Sequence, residues 1–257
     1  MAPVGFRYAT LLTAFALAGA AQAAAPLQFV TEPFPPFNFE ENGLVAGPMV
    51  EVLQAVCKGA KITCTAHIMP WRRALAMAES GQADGIFSIL HGPEKARDFV
   101  LSDPVIRTAY SFFAPRRSGW SYATPRSLEG MTIGVYGPSS TSITLTALVD
   151  GDSNTKVNVE LSNFDALKTL SLGGYGPQSA VFINRDVGLS MTKSMNLSEI
   201  SPAGDVKQIA YCFGLSKKSP HTEEIATFNR ALRQRLASGE VAQILAKYGM
   251  KSPPPSR

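Results

Sequence analysis

Histidine, cysteine and tryptophan are scarce: three, three and two in 257 residues. His67, His91 and His221 stand alone, with no paired spacing that would hold a metal, and no H-E-x-x-H occurs. There is no G-x-S-x-G nucleophile elbow and no G-x-x-x-x-G-K phosphate loop. Those absences remove the commonest hydrolase and nucleotide-binding signatures. Beyond residue 23 no apolar run approaches the 18 or so residues of a membrane span. Charge is sparse too, at 17%, with a formal net of +4. No basic stretch is interleaved with aromatics, so nucleic acid is not an expected partner.

What remains is a chain that is 45% hydrophobic, enough for a sizeable core in one or two domains. Its first stretch, MAPVGFRYATLLTAFALAGAAQA, has one charge, Arg7, then an apolar run from Ala9 to Ala18. It ends on Ala21-Gln22-Ala23, a small-x-small cleavage pattern. This predicts a secretory signal over residues 1–23 and an exported mature protein. An uncleaved anchor is the alternative. No cysteine follows the run to take a lipid. Removing Arg7 lowers the net charge from +4 to +3.

Export permits disulfides. Cys57 and Cys64 lie seven residues apart in VCKGAKITC, where a helix end, a turn at Gly59 and a strand start would bring them together. A bridge is expected, with two buried thiols as the alternative. Cys212, in the apolar run IAYCFGL, reads as a buried, inert thiol.

The hydrophobic period alternates along the chain. Leu27–Val30 reads as a strand; Met49, Val52, Leu53 and Val56 share a helix face; Ile62–Ile68 reads as a strand. Pro70 opens a helix with Trp71, Ala74, Leu75 and Ala78 on one face and Gly81 as its stop. ADGIFSIL is a buried strand. The same order then restarts at MTIGVY, SSTSITLTALV, KVNVEL, NFDALKTLSLGG and SAVFI. Two β-α-β-α-β halves predict two parallel sheets with right-handed crossovers. The extended segments AYSFFA and IAYCFGL, one after each half, would pair as a hinge. SPHTEEIATFNRALRQRLASG is a helix with Ser219 as expected N-cap and Pro220 at N1, EVAQILAKYG a short last helix, and KSPPPSR, residues 251–257, a disordered tail.

In open parallel sheets ligands sit beyond the carboxyl ends of strands. Four loops lie there: Thr31–Phe39, Ser88–Pro93, Tyr136–Thr141 and Asn184–Asp186. Two facing halves would place all four around one cleft. The first loop, TEPFPPFNFEENG, carries Phe34 and Phe37 around two prolines, unusual for a turn unless the rings cover core or ligand. DGDSNTKVNVE begins like a calcium loop. Thr155 stands in place of the needed glycine and Leu161 in place of the last glutamate, so an exposed turn is the better reading.

The ordered motifs EPFPPFNF, NGLVAGPMVEVL, MPWRRALAMAESGQADGIFSIL, PEKARDFVLSDP and SLEGMTIGVYGPSST resemble the periplasmic solute-binding proteins of polar amino-acid ABC importers. The lysine/arginine/ornithine- and histidine-binding proteins are the best-known members. The match runs from Leu27 to Met250. It implies an α/β, two-lobed periplasmic-binding-protein fold of type II, with lobe one at 24–110 and 210–250 and lobe two at 111–209. The Cys57–Cys64 spacing also resembles a disulfide of that family. The resemblance further implies a periplasmic monomer without cofactor, metal or catalysis, whose partners are a small polar solute and a permease with its ATPase. Proteins of the fold also include dehydratase-like enzymes, for which Glu32 or Asp186 would be the acid, and sensory proteins that dock on a chemoreceptor or sensor kinase.

Carried over by position, Phe34 takes the place of an aromatic that packs on the ligand and Trp71 that of the opposite wall. Ser88 matches a serine or backbone contact after the third strand. Ser139 and Ser140 match paired hydroxyls at a helix start, where free N–H groups suit a carboxylate. His91, in the same loop as Ser88, either touches ligand or bonds backbone. The family arginine that clamps a carboxylate is displaced, leaving Lys95 or Arg97 to substitute. Asn184 replaces the aspartate that meets an α-ammonium. These departures predict an anionic group on the solute without a strong need for an α-ammonium.

Overall fold

A computed structural model describes residues 25–151 and 154–253. The expected signal segment, the middle of the Asp150 turn and residues 254–257 lie outside the described residues.

The first half runs β1 (Leu27–Thr31), a hairpin of β2 (Phe39–Glu41) and β3 (Leu44–Ala46), α1 (Pro48–Ala60), β4 (Cys64–Ile68), α2 (Trp71–Ser80) and β5 (Gly85–Leu90). One-turn α3 (Pro93–Ala96) and β6 (Phe99–Leu101) lead into the long β7 (Ile106–Pro115). The second half runs β8 (Thr132–Tyr136), α4 (Ser140–Leu148), β9 (Lys156–Glu160), α5 (Asn163–Ser171), β10 (Ser179–Asn184) and α6 (Arg185–Ser194). β11 (Ile200–Ser216) returns, and α7 (Thr222–Ser238) and α8 (Glu240–Ala246) follow. Local chemistry sets the ends. Pro48 opens α1 at its first turn, and Gly81, at φ 82°, stops α2 in a left-handed conformation that glycine takes without strain.

The strands form one nine-stranded sheet, ordered β4-β1-β5-β11-β7-β10-β8-β9 with β6 beside β11. β1 pairs parallel with β4 and β5; β8 pairs parallel with β9 and β10. Between these parallel halves, β7 and β11 run antiparallel as the two expected connecting strands. AYSFFA lies in β7 and IAYCFGL in the carboxyl part of β11. That part pairs with β5 and β6 of the first half, and the amino part of β11 continues along β7.

Helices cover both faces. Phe29, Phe213 and Phe228 meet where β1, β11 and α7 pack, with ring centroids 5.2–6.0 Å apart. Ala74 and Ala78 of α2 close the other face over Val30, Ile86 and Cys212. In the second half Ile133, Val135, Phe182 and Leu145 pack with Phe112. Cys57 and Cys64 are bridged, tying the end of α1 to the start of β4. Cys212 is fully buried, and burial pushes its thiol up to about 12, so it stays protonated and inert.

The two expected sheets are joined into one by β7 and β11, and two features near the carboxyl end also differ from the expectation. α7 begins at Thr222, not at Pro220. The Ser219 hydroxyl is used elsewhere: it donates to Asp84 (2.6 Å) and accepts from the His221 amide (3.0 Å). And Lys251, placed in the tail, forms a β-bridge with Arg107.

Candidate functional site

A cavity of about 350 Å³ opens between the two halves of the sheet. That is the size of a small-molecule site. All four of the anticipated loops contribute to its lining: Glu32–Phe34, Ser88–Leu90, Tyr136 with Pro138–Thr141, and Asn184. Of the residues singled out from the sequence, Phe34, Trp71, Ser88, Lys95, Ser139, Ser140 and Asn184 line it. His91 and Arg97 do not. His91 is exposed, and its amide bonds the Ala210 carbonyl (2.9 Å). The Arg97 side chain is 81% exposed beside Asp98 (3.5 Å). Residues two apart on a helical turn face nearly opposite ways, so α3 can aim only one of Lys95 and Arg97 inward. It aims Lys95.

The first-half wall is built on Asn38, which sequence reasoning passed over. Asn38 is fully buried. Its Nδ2 donates to Thr31 Oγ1 (3.0 Å) and to the Glu32 carbonyl, and its Oδ1 accepts from Ser88 Oγ. One amide thus fastens the Thr31–Asn38 loop to the end of β5. Ser88, at φ 61°, holds a left-handed conformation uncommon for a side-chain-bearing residue, of the kind concentrated at binding sites. Phe37 is fully buried, whereas Phe34 is half-buried and lines the cavity. Phe34 packs against Phe37 (5.1 Å) and edge-on against Tyr211 (5.6 Å). So the prolines and aromatics of TEPFPPFNF serve both purposes: one ring enters the core and the other faces the cleft.

The second-half wall is made of helix starts. Ser139 caps α4: its Oγ accepts from the Ser142 amide (3.1 Å) and donates to the Tyr136 carbonyl (2.7 Å), while the Ser139 amide donates to Ser142 Oγ (3.0 Å). The Ser139 hydroxyl is therefore committed to the cap. Among the described residues the amides of Ser140 and Thr141 have no partner, and both residues stand at the cavity. α4 carries no acidic residue in its first turn, unlike α5 with Asp165 and α6 with Asp186. Among the three helix starts of the second half its positive end is the one left uncompensated. Leu161, Ser162 and Asn163, after β9, complete this wall. They follow a strand's carboxyl end like the other four loops, and the same rule could have found them.

The floor comes from the connecting strands. Tyr110 of β7 and Tyr211 of β11 are both buried and both line the cavity. The repeated Ala-Tyr of AYSFFA and IAYCFGL was the available signal. Asn184 caps α6, its Oδ1 accepting from the amides of Asp186 (3.0 Å) and Val187 (3.1 Å), and its Nδ2 reaches Tyr211 Oη (3.3 Å). Its oxygen is thus held by the helix. Burial raises both phenols, and Glu94 acts further on Tyr110, as Glu32 and Asp186 do on Tyr211. Burial also lifts the Glu32 carboxyl to about 7.

A mixed sheet whose two parallel halves are joined by paired antiparallel strands, with a solute-sized cavity at the strand ends of both halves, is the architecture of a two-lobed, type II periplasmic binding protein. The chain belongs to the bacterial extracellular solute-binding proteins, family 3, whose model matches residues 27–251. A search among curated proteins finds no match. Among solved structures it is similar to a histidine kinase sensor domain with similarity to periplasmic binding proteins, at 21% identity, TM-score 0.74, covering 89% of this chain and 98% of that one. It is similar to an ancestral arginine-binding protein bound to arginine (22%, TM-score 0.72, 88% and 99%). It is also similar to the arginine-, lysine-, histidine-binding protein ArtJ of Geobacillus stearothermophilus (22%, TM-score 0.71, 89% and 97%). At these identities the likeness establishes the fold.

Proposed function

We propose that the mature protein is a periplasmic monomer that captures a small polar, carboxylate-bearing solute, an amino acid or a relative of one, and delivers it to an ABC permease and its ATPase. The observation that carries this reading is the composition of the cavity wall. Residues 32–34, 71, 88–90 and 95 face residues 136, 138–141, 161–163 and 184 across paired connecting strands. A solute touching both sides binds the closed arrangement better than the open one, which is the condition for ligand-driven closure. Family membership supports the solute-binding role, and the arginine, lysine and histidine ligands named for similar structures support an amino-acid-like solute.

In this reading lobe one comprises 24–110 and 210–250, and lobe two 111–209. Phe34 and Trp71 are apolar walls. The free amides of Ser140 and Thr141 receive the carboxylate, with Lys95 as its cation. Lys95 supplies charge without the two-pronged fit of a guanidinium. The test is mass spectrometry of small molecules released from natively purified protein, followed by a thermal-shift screen of amino acids and organic acids. A released carboxylate-bearing solute that also raises the melting temperature is expected. Stabilisation only by neutral solutes would contradict the proposal.

A further inference from the structure

Away from the cleft, a groove enclosing about 530 Å³ runs between α7, β6 and the end of β11. It lies at the opposite pole of the first half. Its Ser216 follows Leu215, which pairs with Gly85 at the start of β5, whereas the cleft is reached at the end of β5. Positions 222, 225, 226, 229, 230 and 233 of its lining follow the repeat of one helix face. That stretch of helix is about 16 Å long, room for about five residues of an extended chain.

The groove combines two chemistries. Lys217, Arg230 and Arg233 supply three exposed cations, and no acidic residue lines it. Among the described residues none of the three is in an ion pair. Lys217 is instead held by the carbonyls of Ala96 (2.6 Å) and Arg97 (3.0 Å), and Arg230 by the Thr227 hydroxyl (2.9 Å). Glu223 and Glu224, the acids in the first turn of α7, do not line the groove. Val100, Ile225 and Ala226 give it apolar surface: Val100 is 44% exposed, unusual for a strand residue of that size, and Ile225 is buried. Asn229, also in the lining, has a buried amide oxygen with no hydrogen-bond partner among the described residues. An acceptor left so is costly unless something that binds brings a donor.

We propose that this groove docks an acidic segment of a partner protein, an extended peptide with carboxylates on either side of an apolar residue. The carboxylates meet Lys217, Arg230 and Arg233, the apolar side chain covers Val100 and Ile225, and a backbone N–H donates to Asn229. Charge complementarity selects an acidic partner over a basic one. The recess selects a peptide over an anionic bilayer, because a protruding side chain reaches the groove floor and a flat surface does not. All of the lining belongs to the first half and the helix packed on it, so the groove is a contact separate from the solute cleft.

The experiment titrates fluorescein-labelled peptide pools of about seven residues with mature protein, read by anisotropy at about 0.05 M and about 0.5 M salt. One pool sets Glu and Asp around a central Leu, Ile or Phe, a second sets the same acids around Gly, and a third sets Lys and Arg around the apolar centre. Vesicles of phosphatidylglycerol are the fourth probe. The acidic pool with the apolar centre should bind saturably, and about tenfold more weakly at the higher salt. The glycine-centred pool should bind about tenfold more weakly still, and the basic pool not at all. Arg230→Glu with Arg233→Glu should weaken the first pool by at least about tenfold. Ala226→Phe, which fills the groove and leaves every cation in place, should do the same; thermal melting checks that both variants fold. No binding of the first pool up to about 1 mM overturns the proposal, as does binding unchanged by both variants. Equal binding of the glycine-centred pool reduces the groove to diffuse charge attraction and overturns it. Vesicle binding that is at least as tight, and lost in the same variants, assigns the groove to a membrane and also overturns it.

Discussion

Phe34 and Phe37 are three residues apart and meet different fates because their loop is pinned by Asn38. Phe37 is fully buried against Tyr211, while Phe34 keeps one face on the cavity. Trp71, at the start of α2, is half-buried and is attached to the core less intimately. Trp71→Ala should therefore cost about 1–3 kcal/mol of solute affinity with little change in melting temperature. Phe34→Ala should lose similar affinity and also some stability, since it removes ring contacts with Phe37 and Tyr211. Unfolding by either substitution with residual affinity intact would mark the rings as core. Glu32 makes a separate prediction in the absence of solute. Its folded pKa, about 7, lies above the ordinary 4.5, so the folded state prefers the protonated form. The stability this provides is present below about 4.5 and is lost as pH rises through about 7. Glu32→Gln should thus gain stability relative to the parent at alkaline pH, by at most about 3 kcal/mol, and show no such gain in acid. Denaturant midpoints at both extremes measure it, and an equal effect at both would refute a buried carboxyl. At this scale the sequence revealed aromatics, serines and the acid-to-amide change at Asn184. It did not reveal that Asn184 and Ser139 spend their polar atoms on helix caps, because a cap and a ligand contact use the same residue types.

The elements that were legible are those with a clean period. β1, α1, β4, α2 and β5 each show their apolar repeat, and so do β8, α5 and β10. α6 was hidden because RDVGLSMTKS is short, polar and interrupted by Gly188. The structure explains the glycine: a side chain there would meet the Phe113 ring at 2.4 Å, so close packing on β7 requires its absence. The amino part of β11 was hidden for the opposite reason. Pro202, Gly204 and Asp205 break the alternation, and the pairing with β7 shifts register between Pro202 and Asp205 and again between Asp205 and Lys207. α7 was found but started two residues early, since the Ser219 hydroxyl bonds the buried Asp84 instead of capping the helix, and His221, whose ring also bonds Asp84, takes the N-cap position. The α1–β4 corner was legible through its cysteines. The bridge closes a short loop and contributes up to about 2–3 kcal/mol in the chain-entropy account. Thiol titration of the unfolded, unreduced mature protein should find a single reactive group, Cys212; three would contradict the bridge.

At the scale of the molecule, two parallel half-sheets share only β7 and β11 as their connection, and those strands carry Tyr110 and Tyr211 at the cavity floor. Bending there changes the distance between the walls while leaving each half intact. Small-angle scattering should therefore show a smaller radius of gyration at saturating solute, and an unchanged value would indicate a rigid module. The central claim is that the solute is held in this cleft, against Trp71. The chain has two tryptophans, and Trp120 packs on Phe112 in the second half, away from the cavity. Trp120→Phe leaves Trp71 as the only indole. Titrating that variant with the solute that most raises its melting temperature should change Trp71 emission saturably, with the same midpoint as calorimetry. Full calorimetric saturation with Trp71 emission unchanged would place the solute elsewhere and contradict the account.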